Sequence, residues 1–342
     1  MVRKTFKRAL FLVTYYTGTL HLLISVLKKL KKQHRVGILF YHRFSEASFD
    51  FGQLPHLDIR DFKKQMRHIK RWYRVVTMDE LAGRLASRNS FVSPSVVISV
   101  DDGYVNNYTL AYPVIKALGL PAIVYLTTGF IGTNKAPWVD DLMDMLISTK
   151  AEALSLPELL GERVLNISTR SRKKDAAKIL FNAMLRLEHK RKLLMMQKLS
   201  KSLGTAEMLE NGSKRKMLNW NEVIEMGKDN ITFGAHTVSH PTLSKMDVGE
   251  AEREIRESKE EIETQIGAKV RHFAIPNGKI EDFSEALKKY CSKIGMSTVV
   301  STEPGVVYKE SDPYFLGRVN PPPPIYVFAC ELARHLFFPK TP

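Results

Sequence analysis

The chain has 342 residues, 44 % of them hydrophobic, an ordinary globular composition with material for a sizeable core. Two cysteines, Cys291 and Cys330, are too few for a disulfide framework and lack metal-type spacing. Lysine and arginine exceed the acids to a net charge of +16, but no zinc-finger spacing, RNP-like motif or basic–aromatic strand pattern accompanies it, so nucleic acid is not expected as a partner.

The charge is concentrated at the start. Residues 1–35 carry Arg3, Lys4, Lys7, Arg8, Lys28, Lys29, Lys31, Lys32 and Arg35 and no acid. Between these cations, residues 9–27 contain no charged side chain but do contain Thr14, Thr17, Gly18, Thr19, His21 and Ser25. The run approaches the roughly 20 residues that cross a bilayer. Its polar content ranks an interfacial amphipathic helix ahead of a single membrane-spanning helix, and that ahead of a helix packed on the domain. Basic residues at both ends give no orientation, and no small-residue cleavage site follows closely. Clustered cations beside an apolar run point to an anionic membrane surface.

Val36-Gly37-Ile38-Leu39-Phe40-Tyr41 reads as a buried strand ending at His42. Residues 61–72 read as an amphipathic helix, and Val75-Val76 as a short strand. Val96-Val97-Ile98-Ser99-Val100 is a strand running into Asp101-Asp102-Gly103. Residues 107–118 look helical despite Pro113, and Ala122-Ile123-Val124-Tyr125-Leu126 is the next strand. Continuous β-branched strands alternating with helices signal a parallel sheet covered on both faces. The alternation stops over residues 137–216, a basic stretch rich in helix formers and without clear strands, expected as a helical insertion. It resumes with a helix at 221–227, the strand Ile231-Thr232-Phe233-Gly234-Ala235 into His236, and a long charged helix at 248–266. The strand His272-Phe273-Ala274-Ile275 closes on Pro276-Asn277-Gly278, a helix covers 281–290, and 297–300 is the last clear strand. Pro321 to Pro324 end the regular pattern. The expected organisation is a helical arm at 1–35, a barrel domain at 36–320 with its insertion, and a tail at 321–342.

His42, Asp101-Asp102, His236 and Pro276-Asn277-Gly278 each follow the carboxyl end of a strand, and in a closed parallel barrel those ends share one face. Two adjacent carboxylates repel each other, and a metal ion resolves the conflict. His236 and His240, four apart, offer both rings to one ion if they lie on a helical turn. One carboxylate with two imidazoles leaves room for water, the pattern of catalytic zinc, and frees the second carboxylate as a base. His272 reads as a satisfied strand residue. Trp138, Asp140 and Asp141 read as an acidic helix start rather than a substrate loop, and the charges over 250–263 as a solvated face.

Ser99-Val100-Asp101-Asp102-Gly103, followed by His236-Thr237-x-x-His240 and approached through Leu218-Asn219-Trp220 and Phe233-Gly234-Ala235, resembles the NodB-homology polysaccharide deacetylases, the fourth carbohydrate esterase family. The resemblance covers roughly residues 36–320 and implies an α/β fold, an irregular (β/α) barrel. It implies that Asp102, His236 and His240 bind a metal, usually zinc, with cobalt, nickel or iron tolerated by such a set. Asp101 would be the general base, and the backbone N–H of Asn277 would face the oxyanion. The substrate would be an N-acetylated amino-sugar polymer or lipid-linked sugar, and the products acetate and a free amine. The opening Tyr41-His42 resembles the branch that includes poly-N-acetylglucosamine deacetylases, which nominates His42 as the acid. Two departures stand out. Ala274 occupies the place of the arginine that orients the base, leaving Arg318 as its candidate replacement. The late Leu-x-His segment is absent, since Ala333-Arg334-His335 is no clean match. These departures motivate one alternative to an enzyme, a non-catalytic, metal-containing carbohydrate-binding barrel, and the basic insertion motivates another, a polyanion-binding protein. The basic arm adds the expectation of membrane association at a bacterial cell envelope.

Overall fold

A parallel strand buried on both faces has no polar alternation to display, and the apolar runs of this chain behave in that way. The computed structural model describes residues 2–31, 34–46, 56–207 and 216–338. Lys32, the side chains of Arg3 and Lys4, part of the expected insertion (208–215) and the end of the expected tail (339–342) lie outside the described residues. In chain order the strands are β1 (Val36–Tyr41), β2 (Arg43–Ser45), β3 (His56–Asp58), β4 (Arg74–Val75), β5 (Ser95–Val100), β6 (Ala122–Leu126), β7 (Ala153–Ser155) and β8 (Val164–Asn166). They continue with β9 (Ile231–Ala235), β10 (His272–Ala274), β11 (Thr298–Pro304) and β12 (Leu316–Arg318). The main sheet is parallel and runs β1-β5-β6-β9-β10-β11-β12, with β4 beside β5. A parallel bridge from Leu39 to Val319 brings the end of β12 back to β1, so the sheet is a nearly closed barrel.

Within it, the period-2 alternation of side chains sorts each strand into two faces. Val36, Ile38, Val97, Ile123, Tyr125, Val300 and Leu316 pack together in one cluster. Leu39, Tyr41, Val96, Ile98, Val100, Val124 and Leu126 belong to a separate cluster formed with the surrounding helices. Continuing the inner row of β5 through Val97 and Ser99 leads to Asp101, and that of β12 through Leu316 leads to Arg318. Gly234 of β9 is needed in this interior, because a Cβ there would overlap the Tyr125 ring.

Three differences from the sequence reading concern the framework. The expected insertion contains a two-stranded antiparallel hairpin, β7–β8, whose three-residue strands are too short to show a periodicity. Around it the helices Trp138–Ser148, Arg170–Leu185 and His189–Ser202 close on their own core, with Leu142, Leu146, Leu180, Met184 and Leu199 fully buried. The prolines at 321–324 do not end the regular structure: they lead into the helix Ile325–Phe337, whose Phe328, Leu332, Leu336 and Phe337 are buried. Proline is tolerated at a helix start, where its missing N–H is not needed. At 107–118 the chain makes a π-helical turn, Asn107–Ala111, before the helix Tyr112–Leu118, with Pro113 in its first turn.

The N-terminal arm is not one helix. It breaks at Thr17-Gly18, where Gly18 has φ 79°, into Val2–Tyr16 and Thr19–Leu30, bent by 75°. Thr14, Thr17 and Ser25 donate to carbonyls one turn back, so their hydroxyls cost the helices little. Phe11, Tyr15 and Leu27 pack against the barrel's outer core, in which Leu20 and Ile24 are buried. At this seam His21 stacks on Trp72 and faces His68 at 5.7 Å. His68 is buried with Nε2 unpartnered, and burial, reinforced by His21, pushes its pKa down to about 3. The folded chain therefore binds fewer protons than the unfolded one between about pH 3 and the ordinary histidine pKa near 6.5. Stability is expected to fall as pH drops below about 6.5 and to level off near pH 3, by a few kcal/mol in order of magnitude. His68→Phe should flatten that part of the dependence. Equal pH profiles of the unfolding midpoint for the two proteins would remove the assignment.

Candidate functional site

The barrel mouth is built by the chain turning sharply as it leaves each strand. Six described non-glycine residues have positive φ, and four of them, Asp102 (74°), Thr237 (67°), His240 (54°) and Asn277 (61°), sit in the mouth. A left-handed threonine is unfavourable, and such strain persists only where its surroundings enforce it. Here Thr237 accepts from the His240 N–H at 3.1 Å with its side chain and from the Thr128 N–H at 3.2 Å with its carbonyl. The Asp102 carbonyl accepts from the Thr127 N–H at 3.3 Å. This corrects the expected helical turn for His236 and His240. The segment is an irregular loop, and its left-handed residues, not a helical face, turn both rings inward.

The result is a set of the buried Asp102 and His236 and the partly buried His240, whose ligand atoms lie within 4.8 Å of one another. Asp102 Oδ1 is 3.3 Å from His236 Nε2 and 3.4 Å from His240 Nε2, yet it is buried without a hydrogen bond. His236 Nδ1 lies 2.7 Å from the Ala274 carbonyl, which requires the proton on that nitrogen and aims the Nε2 lone pair at Asp102. An acceptor nitrogen facing an unpartnered carboxylate oxygen is repulsive unless a proton or cation lies between them. Burial opposes the charge of Asp102, but His236 and His240 outweigh it and hold its pKa well below the usual range. Burial lowers the His240 pKa to about 4. For His236 the nearby carboxylates overcome burial and raise the pKa. The donor chemistry fits a divalent cation of the zinc type.

Asp101 is handled differently. Arg318 grips it with two parallel hydrogen bonds, Nη1 to Oδ1 at 2.8 Å and Nη2 to Oδ2 at 2.7 Å. Arg318 is itself 1 % exposed, donates from Nε to the Ser301 carbonyl at 2.6 Å, and lies over the Phe40 ring. Burial would push the Asp101 carboxyl up, but Arg318 more than offsets it and keeps the pKa lowered. An arginine arriving from β12 thus occupies the place left by Ala274. His42 Nε2 is 3.7 Å from Asp101 Oδ2, and its side chain is 25 % exposed at the mouth. Asn277 is held by its Nδ2 donating to Thr242 Oγ1 at 3.0 Å and by its carbonyl accepting from Thr302 Oγ1 at 2.6 Å. Its backbone N–H has no partner among the described residues.

Glu254 and Arg43 also build the mouth, and the sequence marked neither of them. Glu254 lies in the helix Val248–Ile266, part of the stretch expected to be a solvated face, yet it accepts from the N–H groups of Val238 and Ser239 at 2.8 Å each and from the Ser239 hydroxyl at 2.7 Å. It therefore braces the loop between the two histidines, and nothing local in its charge pattern distinguishes it from its neighbours. Arg43, next to His42, is partly buried, lies over the Tyr104 ring and pairs with Asp140 at the start of the helix Trp138–Ser148, tying the insertion to the mouth. Asp141 beside it has its pKa pushed up to about 7 by burial. His272 is a strand residue satisfied at both ring nitrogens, by Thr298 Oγ1 at 2.9 Å and Asp79 at 3.2 Å.

The mouth of a parallel barrel thus carries an aspartate–histidine–histidine set beside an ion-paired carboxylate, and the comparisons with known proteins point to deacetylases. Residues 170–299 match the family described as Polysaccharide deacetylase, a stretch holding both histidines and Asn277. Over that stretch the chain is similar to the polysaccharide deacetylases. The putative polysaccharide deacetylase YxkH of Bacillus subtilis (strain 168) is 21 % identical over 296 residues, 86 % of this chain and 74 % of that protein. In fold, the chain is similar to IcaB from Ammonifex degensii, with a TM-score of 0.55, 17 % identity, and coverage of 89 % of this chain and 98 % of that one. It is also similar to the Streptococcus pyogenes deacetylase PplD, solved in complex with acetate, with a TM-score of 0.54, 16 % identity, and coverage of 84 % and 92 %.

Proposed function

We propose that this enzyme removes N-acetyl groups from the amino-sugar units of a polymeric or lipid-linked glycan, using a divalent cation held by Asp102, His236 and His240. One observation carries the reading: the orphaned Asp102 Oδ1, buried between two imidazole nitrogens. Zinc suits these donors, and cobalt or nickel is compatible with them. When bound, such an ion polarises the acetyl carbonyl and makes water more acidic.

The chain's own groups do the remainder. Asp101, kept ionised and aimed by Arg318, takes a proton from the attacking water. The water oxygen bonds to the acetyl carbon, and the Asn277 N–H faces the oxygen that becomes negative. The carbon–nitrogen bond breaks as His42 delivers a proton to the departing nitrogen, leaving acetate and a free amine. A cleft of about 530 Å³ supports an extended substrate: it runs from Asn277 and Thr242 to Asn182 and Arg186 of the insertion. The bidentate Arg318 also answers one of the two departures that favoured a non-catalytic barrel.

Acetate release from a panel of polymeric and lipid-linked N-acetylhexosamines tests the proposal. Activity on at least one member should fall to background with a chelator and return with zinc or cobalt. No release from any substrate, or release indifferent to chelation, would overturn it.

A further inference from the structure

The N-terminal helix pair has two apolar sides, and the barrel covers only one. Its inner side carries Leu20, Ile24 and the partly buried Phe11 and Tyr15. Its outer side is also apolar. Nine of the nineteen exposed large hydrophobic side chains among the described residues fall between Phe6 and Leu30. Phe6, Leu10 and Val13 recur at helical spacing on the first helix, and Leu22, Val26 and Leu30 on the second. Phe6, Leu22 and Leu30 are each about 70 % exposed. Water-facing helix sides are normally polar, and a contiguous apolar patch on a soluble chain marks a contact surface.

The surrounding charge identifies the partner. No acid occurs before Glu46. Arg8 and Lys29 are exposed with no side-chain partner among the described residues. Arg67 and Arg71 add two exposed cations on the neighbouring helix Ile59–Trp72, whose Trp72 stacks on His21. Glu331, on the helix below, is already engaged by Lys7 at 2.6 Å and Arg334 at 2.7 Å. An apolar stripe edged by unneutralised cations complements a bilayer with anionic headgroups. Neither helix alone is long and apolar enough to cross a membrane, and the 75° bend keeps the pair from forming one straight span.

We propose that this helix pair docks on an anionic lipid surface, lying in the headgroup region with its outer side inserted and its inner side still packed on the barrel. The proposal does not depend on the reaction at the barrel mouth. It does make glycans assembled or carried at a membrane the substrates within reach.

The test is co-sedimentation of the full chain with phosphatidylcholine vesicles and with vesicles that also contain phosphatidylglycerol. Binding should require the anionic lipid and weaken with salt. Leu22→Glu with Val26→Glu, and separately Arg8→Glu with Lys29→Glu, should each lower it by about tenfold or more. All four positions are exposed, so circular dichroism and the melting temperature should not change. Absence of vesicle binding, or binding unchanged in both variants, overturns the proposal. So does a lipid-free dimer, seen by light scattering, that Leu22→Glu with Val26→Glu turns into a monomer, because a second copy would then be the partner of this face.

Discussion

Asp101→Asn is expected to leave one divalent cation bound per chain while kcat falls by about 10²–10⁴-fold, the usual contribution of a positioned general base. The amide is nearly isosteric with the carboxylate and still offers Arg318 one acceptor, but it cannot take the proton of an attacking water. Asp101 does not belong to the Asp102–His236–His240 set, so its loss should not release the ion. Acetate release and metal content measured on the same preparation check both halves. Full activity would show that another group is the base, and loss of the ion together with activity would make Asp101 a ligand.

Arg318→Met should destabilise the fold by about 3–5 kcal/mol, because removing one partner leaves the other as an uncompensated buried charge. Asp101 and Arg318 are each 1 % exposed, so solvent screening offers little relief. With the guanidinium gone, burial becomes the dominant influence on Asp101 and shifts its titration upward, so residual activity should need higher pH. Pairing Arg318→Met with Asp101→Leu should recover much of the lost stability, since an apolar pair of similar volume often replaces a buried ion pair at little cost. Urea midpoints at unchanged slope measure these differences. A single variant within about 1 kcal/mol of the parent would mean that the pair contributes no more than an ordinary surface contact. Arg318→Lys is not expected to rescue, because an ammonium cannot hold both carboxylate oxygens and the Ser301 carbonyl at once.

Both expectations involve residues that the sequence marked to different degrees. The strands were legible because a doubly covered parallel sheet demands unbroken apolar runs, and the polar motifs stood out where those runs stopped. Asp101 could be distinguished from Asp102 only through a family likeness, because the two adjacent carboxylates are chemically identical in sequence. The structure separates them by partner, Arg318 for one and the two imidazoles for the other. Arg318 could be nominated because Ala274 stood where an arginine was expected. Its bidentate grip follows from β12 returning beside β1, a contact between positions more than two hundred residues apart. Glu254 gave no local sign at all, since its role depends on which turn of the helix Val248–Ile266 meets the Val238–Ser239 backbone. The N-terminal arm read as one apolar run because composition does not register a bend, and the left-handed Gly18 makes it two helices.

The amino-acid order by itself determined the succession of buried strands, the acids and histidines placed at their ends, and the cationic, apolar character of the arm. All of these are properties of neighbouring residues, set by burial pattern and side-chain chemistry. Tertiary structure alone decided which carboxylate is held by a guanidinium and which faces the imidazoles, and which side of the arm the barrel covers. Those outcomes arise from closing a sheet on itself, which brings distant residues within hydrogen-bond range and excludes water from between them.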